Sequence, residues 1–291
     1  MNYFLHAPMA DPGTELGIDE TAFNDLDTAK SSLLAILGFE ECFALLFDNY
    51  TEFEEELVRL ALDQMLRPNP LNPATGYAAI HAINRRLLNL LTAYSFYCES
   101  AQKRLPCLGC IDKQGVWAEF TAEFKSNCDL ALAKELRNYA GHHGVLISGI
   151  SYPSGWEDRN GQDRQVMRFG IFPIFDRSDI KSYNPKLFFF DGPNALGDPT
   201  YCVRRIIEGV GAIHERLRTR HVEPLAESKK MFHQALQRFE GQPELVFAVH
   251  PSKQIAISRS VIERIDHLQE RYGVIPAVSQ RYVSNESSQL R

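Results

Sequence analysis

The segment from residue 134 to residue 144 contains an arginine, an asparagine and two histidines within seven positions, at the carboxyl end of a long helical pattern. Arg137 is permanently charged and offers a planar fork of donors that suits a phosphate group. His142 and His143 have an ordinary pKa close to neutral pH, so either ring is suited to proton transfer. Asn138 can orient a neighbouring ring or a phosphate. These residue types predict that an anionic substrate is bound and undergoes acid–base chemistry without a metal.

The spacing of Arg137 and His142, with Asn138 directly after the arginine, resembles the R-x4–6-H motif of HEPN domains. A helix containing the run Leu-Leu-Asn-Leu-Leu precedes the motif helix, and strands are predicted after it, as in bacterial proteins of this type. The resemblance covers about residues 75–150. It implies an antiparallel helical bundle that is a metal-independent ribonuclease. It also implies no cofactor, and a homodimer in which two motif helices line one composite active site.

The resemblance further implies how RNA is cleaved. A ribose 2′-OH attacks the adjacent phosphate and leaves 2′,3′-cyclic phosphate and 5′-OH ends. His142 is expected to act as general base, and its counterpart from a second subunit as general acid. Arg137 is expected to stabilise the charge on the phosphorane, Asn138 to orient His142 or the phosphate, and His143 is a further candidate for proton transfer. The resemblance also suggests a toxin or anti-phage effector, with an antitoxin or regulatory protein as a partner.

Two other interpretations of the motif remain open. The first is a non-catalytic HEPN-like module that binds RNA, a nucleotide or a protein partner. The second is a structural role, in which the histidines interact with the helix macrodipole or Arg137 and His142 satisfy each other and nearby backbone. A basic cleft around His142 would distinguish the ribonuclease and the binding module from the structural role.

Two predicted helices must position the motif. The motif helix runs from about Trp117 to Gly141, and Arg137 and His142 differ by about 140° around its axis. Either Gly141 lets the last turn relax, or residues from two copies of the helix combine in one site. The preceding helix, from about Tyr77 to Pro106, is expected to lie antiparallel to the motif helix. Its polar patch is either a second wall of the RNA site or a solvated face, and its candidate substrate-binding residues are Arg85, Arg86 and Asn89.

The rest of the chain predicts a mainly α fold with a smaller α+β part. A change of pattern near Gly144 predicts a helical bundle over residues 18–144 and a mixed α/β extension over residues 145–291, or one domain containing both. The segment from Met1 to Gly17 is expected to be irregular. Further elements are expected as follows: a helix from Asp19 or Thr21 to Leu37 that Gly38 ends, a helix from Thr51 that stops at Pro68, a hairpin of 145–152 with 165–175 around a long loop carrying Trp156, a strand at 187–190, a helical region over 201–239, strands at 245–249 and 255–257, and a helix from Ser258 or Ser260 to Tyr272.

Composition and charge restrict the class of protein. The net charge is −6, but residues 1–66 hold 14 acidic and 2 basic residues, so the rest of the chain is basic and an RNA partner is not excluded.

No apolar run approaches the roughly 18 residues of a membrane span, and no secretory signal is seen, so no membrane partner is expected. Six cysteines without dense spacing indicate reduced thiols and a cytoplasmic location. A zinc site formed by Cys98, Cys107, Cys110 and Cys128 is a weaker alternative, because the spacing is not that of a zinc finger; no metal is therefore predicted.

Overall fold

A computed structural model describes most of the chain. The described residues are 3–8, 11–67, 73–104, 118, 121–122, 128–158, 165–175, 199–241, 243–273, 275 and 277–281. Among them are six α-helices: α1 (Glu20–Leu66), α2 (Pro73–Arg104), α3 (Cys128–His143), α4 (Pro199–Arg220), α5 (Val222–Gln237) and α6 (Arg259–Arg271). The strands are β1 (Phe4–Ala7), β2 (Asp11–Gly17), β3 (Ile147–Ser151), β4 (Ser154–Asp158), β5 (Gln165–Phe169), β6 (Phe172–Phe175), β7 (Leu245–His250) and β8 (Lys253–Ser258). The prediction of a mainly α fold with a smaller β part is confirmed.

The chain divides into two units, each assembled from separate segments. The first unit contains residues 1–44, 97–120 and 213–273, and the second contains residues 45–96, 121–212 and 274–291. Helices α1, α2 and α4 each contribute one part to the first unit and the other part to the second. The division predicted at residue 144 follows the change in sequence pattern, and it stays a prediction.

The first unit contains a four-stranded antiparallel sheet in the order β2-β1-β7-β8. Strand β1 is internal, since Leu5 pairs with Leu16 of β2 on one side and with Ala248 of β7 on the other. The expectation that the segment from Met1 to Gly17 is irregular is therefore wrong. Pro12 and Gly13 suggested a loop, but Leu5 is buried and its strand is held by a partner near the other end of the chain.

Helix α1 is one continuous helix of 47 residues. It begins as predicted, because the Asp19 carboxylate accepts a hydrogen bond from the Ala22 N–H at 2.7 Å. The expected end at Gly38 and the expected start at Thr51 are wrong. Gly38 lies inside the helix, where its missing Cβ leaves room for the Arg104 guanidinium. The Thr51 hydroxyl donates to the Phe47 carbonyl one turn back, so it is an interior threonine rather than a cap.

The described residues 147–158 and 165–175 of the second unit form two antiparallel ribbons in place of one hairpin. Strand β3 pairs with β6, and β4 pairs with β5, with Trp156 opposite Met167. The pairing of the two predicted segments is partly confirmed, but residues 154–158 are a strand rather than part of the predicted loop. Trp156 is exposed on that strand. The Gly170 N–H donates to the Pro153 carbonyl at 2.9 Å, which joins the two ribbons where the predicted strand is interrupted.

The carboxyl-terminal helices and strands follow the sequence pattern closely. The predicted helical region over 201–239 is two helices, α4 and α5, with a break at His221. Pro224 explains the break, because proline has no N–H and its ring clashes with the carbonyl four residues back, which is that of Arg220. Strands β7 and β8 and helix α6 are confirmed, and Ser258 caps α6 by accepting from the Ser260 N–H at 3.3 Å. The strand predicted at 187–190 lies outside the described residues.

Candidate functional site

The motif residues lie on the last two turns of α3, within the second unit. The buried side of this helix carries Leu132, Leu136 and Tyr139. Arg137, His142 and His143 are exposed, and Asn138 is half-buried. The apolar side therefore packs into the unit while the candidate chemical groups face away from it. Helix α3 begins at Cys128; of the earlier part of the predicted helix only residues 118, 121 and 122 are described, and all three are helical. Trp117 lies outside the described residues.

Among the described residues, three of the four motif side chains have no polar or ring partner. Arg137, Asn138 and His142 make no hydrogen bond, ion pair or ring contact with another described residue, whereas the His143 ring stacks on Tyr139 with centroids 5.0 Å apart. Arg137 and His142 also do not meet within one chain, as their separation of about 140° around the helix axis predicted. The donors are thus available to a ligand, but no described neighbour orients the His142 ring.

The predicted polar patch on α2 divides into engaged and available residues. Arg86 is half-buried and forms an ion pair with Glu52 of α1, both within the second unit. Arg85 and Asn89 are exposed and have no polar partner among the described residues. Arg86 therefore has a structural partner that competes with a phosphate, and Arg85 and Asn89 are the better candidates for contacting a substrate.

Helices α2 and α3 lie antiparallel, as predicted, and two buried side chains of α2 connect them. The Tyr94 hydroxyl donates to the Leu130 carbonyl at 2.9 Å, near the start of α3. Asn84, ten residues earlier on α2, bonds to the backbone of Leu146 and Ile147, just after the end of α3. The motif helix is therefore fixed to α2 near both of its ends.

The arginines of α4 are mostly neutralised by carboxylates. Five arginines lie between residues 204 and 220, and such a group can form either a phosphate-binding ridge or a set of ion pairs. Arg204 donates two hydrogen bonds to Glu54, both at 2.7 Å, and Arg205 donates to Glu208 at 3.0 Å. These contacts support the ion-pair interpretation for Arg204 and Arg205.

A buried polar cluster in the first unit was missed by the sequence analysis. The Glu40 carboxylate accepts a bidentate pair of hydrogen bonds from Arg218 and a third bond from Gln269 at 3.0 Å. His214 Nε2 lies 3.1 Å from the same carboxylate, and His214 Nδ1 lies 3.1 Å from the Tyr97 hydroxyl. Apart from the i, i+4 spacing of His214 and Arg218, no local signal reveals it, because Glu40 is 174 residues away from His214.

The electrostatics of this cluster fix its protonation state. Burial raises the pKa of the Glu40 carboxyl, but hydrogen bonds from His214 and Arg218 outweigh that effect and lower its pKa to about 2. Burial lowers the pKa of His214 to about 4, although the Glu40 carboxylate opposes the shift. At neutral pH, His214 is thus neutral, its Nε2–H donates to Glu40, and its Nδ1 accepts from the Tyr97 hydroxyl. Because Glu40 and His214 are almost completely buried, we assign the cluster a structural role rather than a catalytic one.

Comparisons with known proteins add no family to this picture: no protein-family model, no curated protein and no solved structure matches the chain. The resemblance to HEPN domains therefore rests on the motif and its context alone. Within the described ranges, no group of three or more histidine, cysteine or carboxylate side chains is arranged to hold a metal ion. Cys107 and Cys110 of the alternative zinc site lie outside those ranges. None of the described helices is long and apolar enough to cross a membrane.

Proposed function

We propose that the protein is a metal-independent endoribonuclease whose site is formed by the exposed end of α3. The observation that supports this most is that Arg137 and His142 are exposed and make no polar contact with another described residue, whereas carboxylates bind Arg204, Arg205 and Arg218. If Arg137 and His142 stabilised the fold, we would expect them to form hydrogen bonds or ion pairs with neighbouring residues. A role in toxin–antitoxin control or phage defence is part of this proposal and rests on the resemblance.

The proposed reaction is an intramolecular transesterification of the RNA backbone. His142 removes the proton of a ribose 2′-OH, and the 2′-oxygen forms a bond to phosphorus. The bond between phosphorus and the 5′-oxygen breaks, and a protonated histidine donates a proton to that leaving oxygen. Arg137 donates to the non-bridging oxygens, where negative charge develops. The products are a 2′,3′-cyclic phosphate and a 5′-OH, and DNA, which lacks the attacking hydroxyl, is not cleaved.

We propose further that two copies of the chain contribute to one site. A single α3 directs Arg137 and His142 about 140° apart, so one copy presents them to different sides of the helix. The mechanism also needs a general base and a general acid on opposite sides of the phosphate. Two motif helices related by a twofold axis supply both histidines and place an arginine from either copy beside the phosphate.

The test is cleavage of a mixed RNA substrate in excess EDTA. We expect His142→Ala and Arg137→Ala each to lower the rate by about a hundredfold or more, because each removes a group that acts in the transition state. Matched controls are His233→Ala, an exposed helical histidine on α5, and Arg67→Ala, an exposed arginine just after α1. These two variants should cleave at the wild-type rate and leave the same cyclic-phosphate ends.

Two outcomes would contradict the proposal. Cleavage that survives both motif substitutions would show that another site or a contaminant is responsible. Cleavage that EDTA abolishes and added metal restores would rule out the metal-independent mechanism.

The alternative is a non-catalytic module that binds RNA, a nucleotide or a protein partner. One observation favours it: no described residue orients the His142 ring, and an efficient general base is normally held in place. An RNA affinity that Arg137→Ala and Arg85→Ala weaken, without any cleavage by the wild type, would support this alternative.

A further inference from the structure

Asn84 of α2 is almost completely buried, with 2 % of its surface exposed, and its side chain makes four hydrogen bonds. Its Oδ1 accepts from the Leu146 N–H at 3.0 Å and from the Ile147 N–H at 2.9 Å. Its Nδ2 donates to the Ile147 carbonyl at 2.9 Å and to the Ile80 carbonyl at 3.0 Å. Three of these bonds hold the segment that directly follows the motif helix.

This segment needs an external partner because regular structure is interrupted there. Helix α3 ends at His143, and Gly144 adopts a φ of +109°, which turns the chain away from the helical path. The register of β3 against β6 then shifts between Ile147 and Gly149. Buried backbone N–H and carbonyl groups at such a break need hydrogen-bond partners. The Asn84 side-chain amide is the partner of both the N–H and the carbonyl of Ile147.

We propose that Asn84 is a positioning residue, which holds the end of α3 and thereby His142 in a fixed place relative to α2. Leu146 is four residues after His142, and Arg85 directly follows Asn84, so the same hydrogen bonds fix the motif and the exposed α2 patch to each other. The consequence for catalysis rests on the proposed ribonuclease function.

Tyr94 provides a matched comparison. Like Asn84, it is a buried residue of α2 that hydrogen-bonds to backbone beside the motif helix, but its partner is Leu130 at the opposite end of α3. Loss of the Tyr94 bond loosens the start of the helix, and loss of the Asn84 bonds loosens the end that carries His142. A general effect on stability is common to both substitutions, whereas an effect on the position of His142 is specific to Asn84.

The experiment compares Asn84→Ala, Asn84→Asp and Tyr94→Phe with the wild type, at a temperature where circular dichroism shows all four folded. Amide hydrogen exchange is measured over residues 140–147, and kcat and KM are measured on one RNA oligonucleotide that the wild type cleaves. We expect Asn84→Ala to accelerate exchange in that segment and to lower kcat by about tenfold or more, with KM changed by less than about twofold. Asn84→Asp keeps the acceptor for both N–H groups but loses the donor, so its values should be intermediate, and Tyr94→Phe should leave both readouts near those of the wild type.

Each remaining result decides against part of the proposal. Equal exchange over residues 140–147 in Asn84→Ala and Tyr94→Phe would overturn the assignment of Asn84 as the group that holds this end. Accelerated exchange with an unchanged kcat would show that Asn84 does not position the catalytic histidine. If the wild type cleaves no RNA, the ribonuclease function fails, and the exchange data alone decide whether Asn84 holds the end of α3.

Discussion

His214 and His221 are neutral histidines in a buried region that already contains the ionised pair of Glu40 and Arg218. The His214 ring is stacked between Phe43 and Phe39, with centroids 3.8 and 4.3 Å away. A positive charge on this ring would be largely shielded from water and close to the Arg218 guanidinium. The aromatic neighbours and the arginine therefore keep the ring neutral at the pH where Glu40 is charged.

The first unit should lose stability in acid because of these histidines. Burial lowers the pKa of both His214 and His221 from 6.5 to about 4, so between these values the unfolded chain binds more protons than the folded one. The free energy of unfolding must therefore fall as the pH drops from 6.5 towards 4, by an amount on the order of 2–3 kcal/mol for each histidine. Glu40 continues the fall below pH 4.5, since its pKa is about 2 in the folded protein.

His221 allows this prediction to be tested without disrupting the cluster. Neither of its ring nitrogens has a hydrogen-bond partner among the described residues, although the Leu217 carbonyl lies near enough to oppose the fall in its pKa. His221→Phe should keep the edge-on contact with Phe39 and flatten the dependence of stability on pH between 6.5 and 4. Urea unfolding at several pH values measures this slope, with His233→Phe, a change of an exposed histidine, as the control. An identical slope in His221→Phe and the wild type would show that folding does not lower the pKa of His221.

At the scale of elements, the two glycines at the end of the motif helix should respond in opposite ways to the same substitution. Gly141 lies inside α3 with open space where a Cβ would be, so Gly141→Ala should stabilise the protein by about 0.5–1 kcal/mol. Gly144 also has open space, but its φ of +109° is one that alanine rarely adopts, so Gly144→Ala should destabilise the protein by about 1 kcal/mol or more. Thermal unfolding of the two variants measures both effects. Stabilisation by Gly144→Ala would show that the turn after α3 readily takes another conformation.

Gly141→Ala also separates the two explanations for how Arg137 and His142 could act together although they lie about 140° apart around the helix axis. If the last turn of α3 must relax for the two side chains to converge, a stiffer turn should reduce RNA cleavage while it raises the melting temperature. If two copies of the helix combine, cleavage should be unchanged. We expect the second result, because Gly141 has helical backbone in the structure.

Helices and strands that are specified by local sequence were predictable, whereas those that depend on contacts with distant residues were not. Helix α2 and strands β7 and β8 follow from periodicity and flanking turn residues, and α6 follows from its serine cap. Gly38 and Thr51 suggested helix boundaries because the end or the N-cap of a helix is predicted from only a few neighbouring residues. The packing that carries α1 through both positions comes from chain far away in sequence, such as Arg104 beside Gly38. Strand β1 is likewise specified by its pairing with β7.

The residues of the candidate site can be proposed from the sequence, but their surroundings cannot. The motif and the α2 patch can be recognised from residue type and spacing, because exposed chemical groups are not determined by packing. Nothing in the sequence separates Asn84 from the neighbouring polar residues Arg85, Arg86 and Asn89. Its burial depends on the turn after α3, 62 residues further on, which no periodicity of α2 indicates.

At the scale of the whole molecule, the uneven charge of the chain is partly compensated by ion pairs within each unit. Acidic residues of α1 pair with basic residues from later in the sequence: Asp27 with Lys253, Glu40 with Arg218, Glu41 with Arg264, Glu52 with Arg86, and Glu54 with Arg204. The basic excess outside residues 1–66 is thus partly used in folding. The positive charge available to the proposed RNA partner includes Arg85 and Arg137, which have no polar partner among the described residues. Arg85 lies on α2 and Arg137 on α3, the two helices that Asn84 and Tyr94 connect.

The proposed composite site predicts how inactive subunits should affect active ones. If each cleavage needs His142 from both copies, a dimer of one wild-type and one His142→Ala subunit is inactive. At constant total protein and after subunit exchange, the rate should then fall as the square of the wild-type fraction. A chain with its own complete site would give a linear fall instead. Initial rates on one RNA substrate measure the curve, exchange is verified with subunits of different mass, and His233→Ala mixed in the same way is the control. A linear curve, or a monomer by sedimentation at the assay concentration, would mean that one chain performs both proton transfers, and His143 would then be the first candidate for the second role.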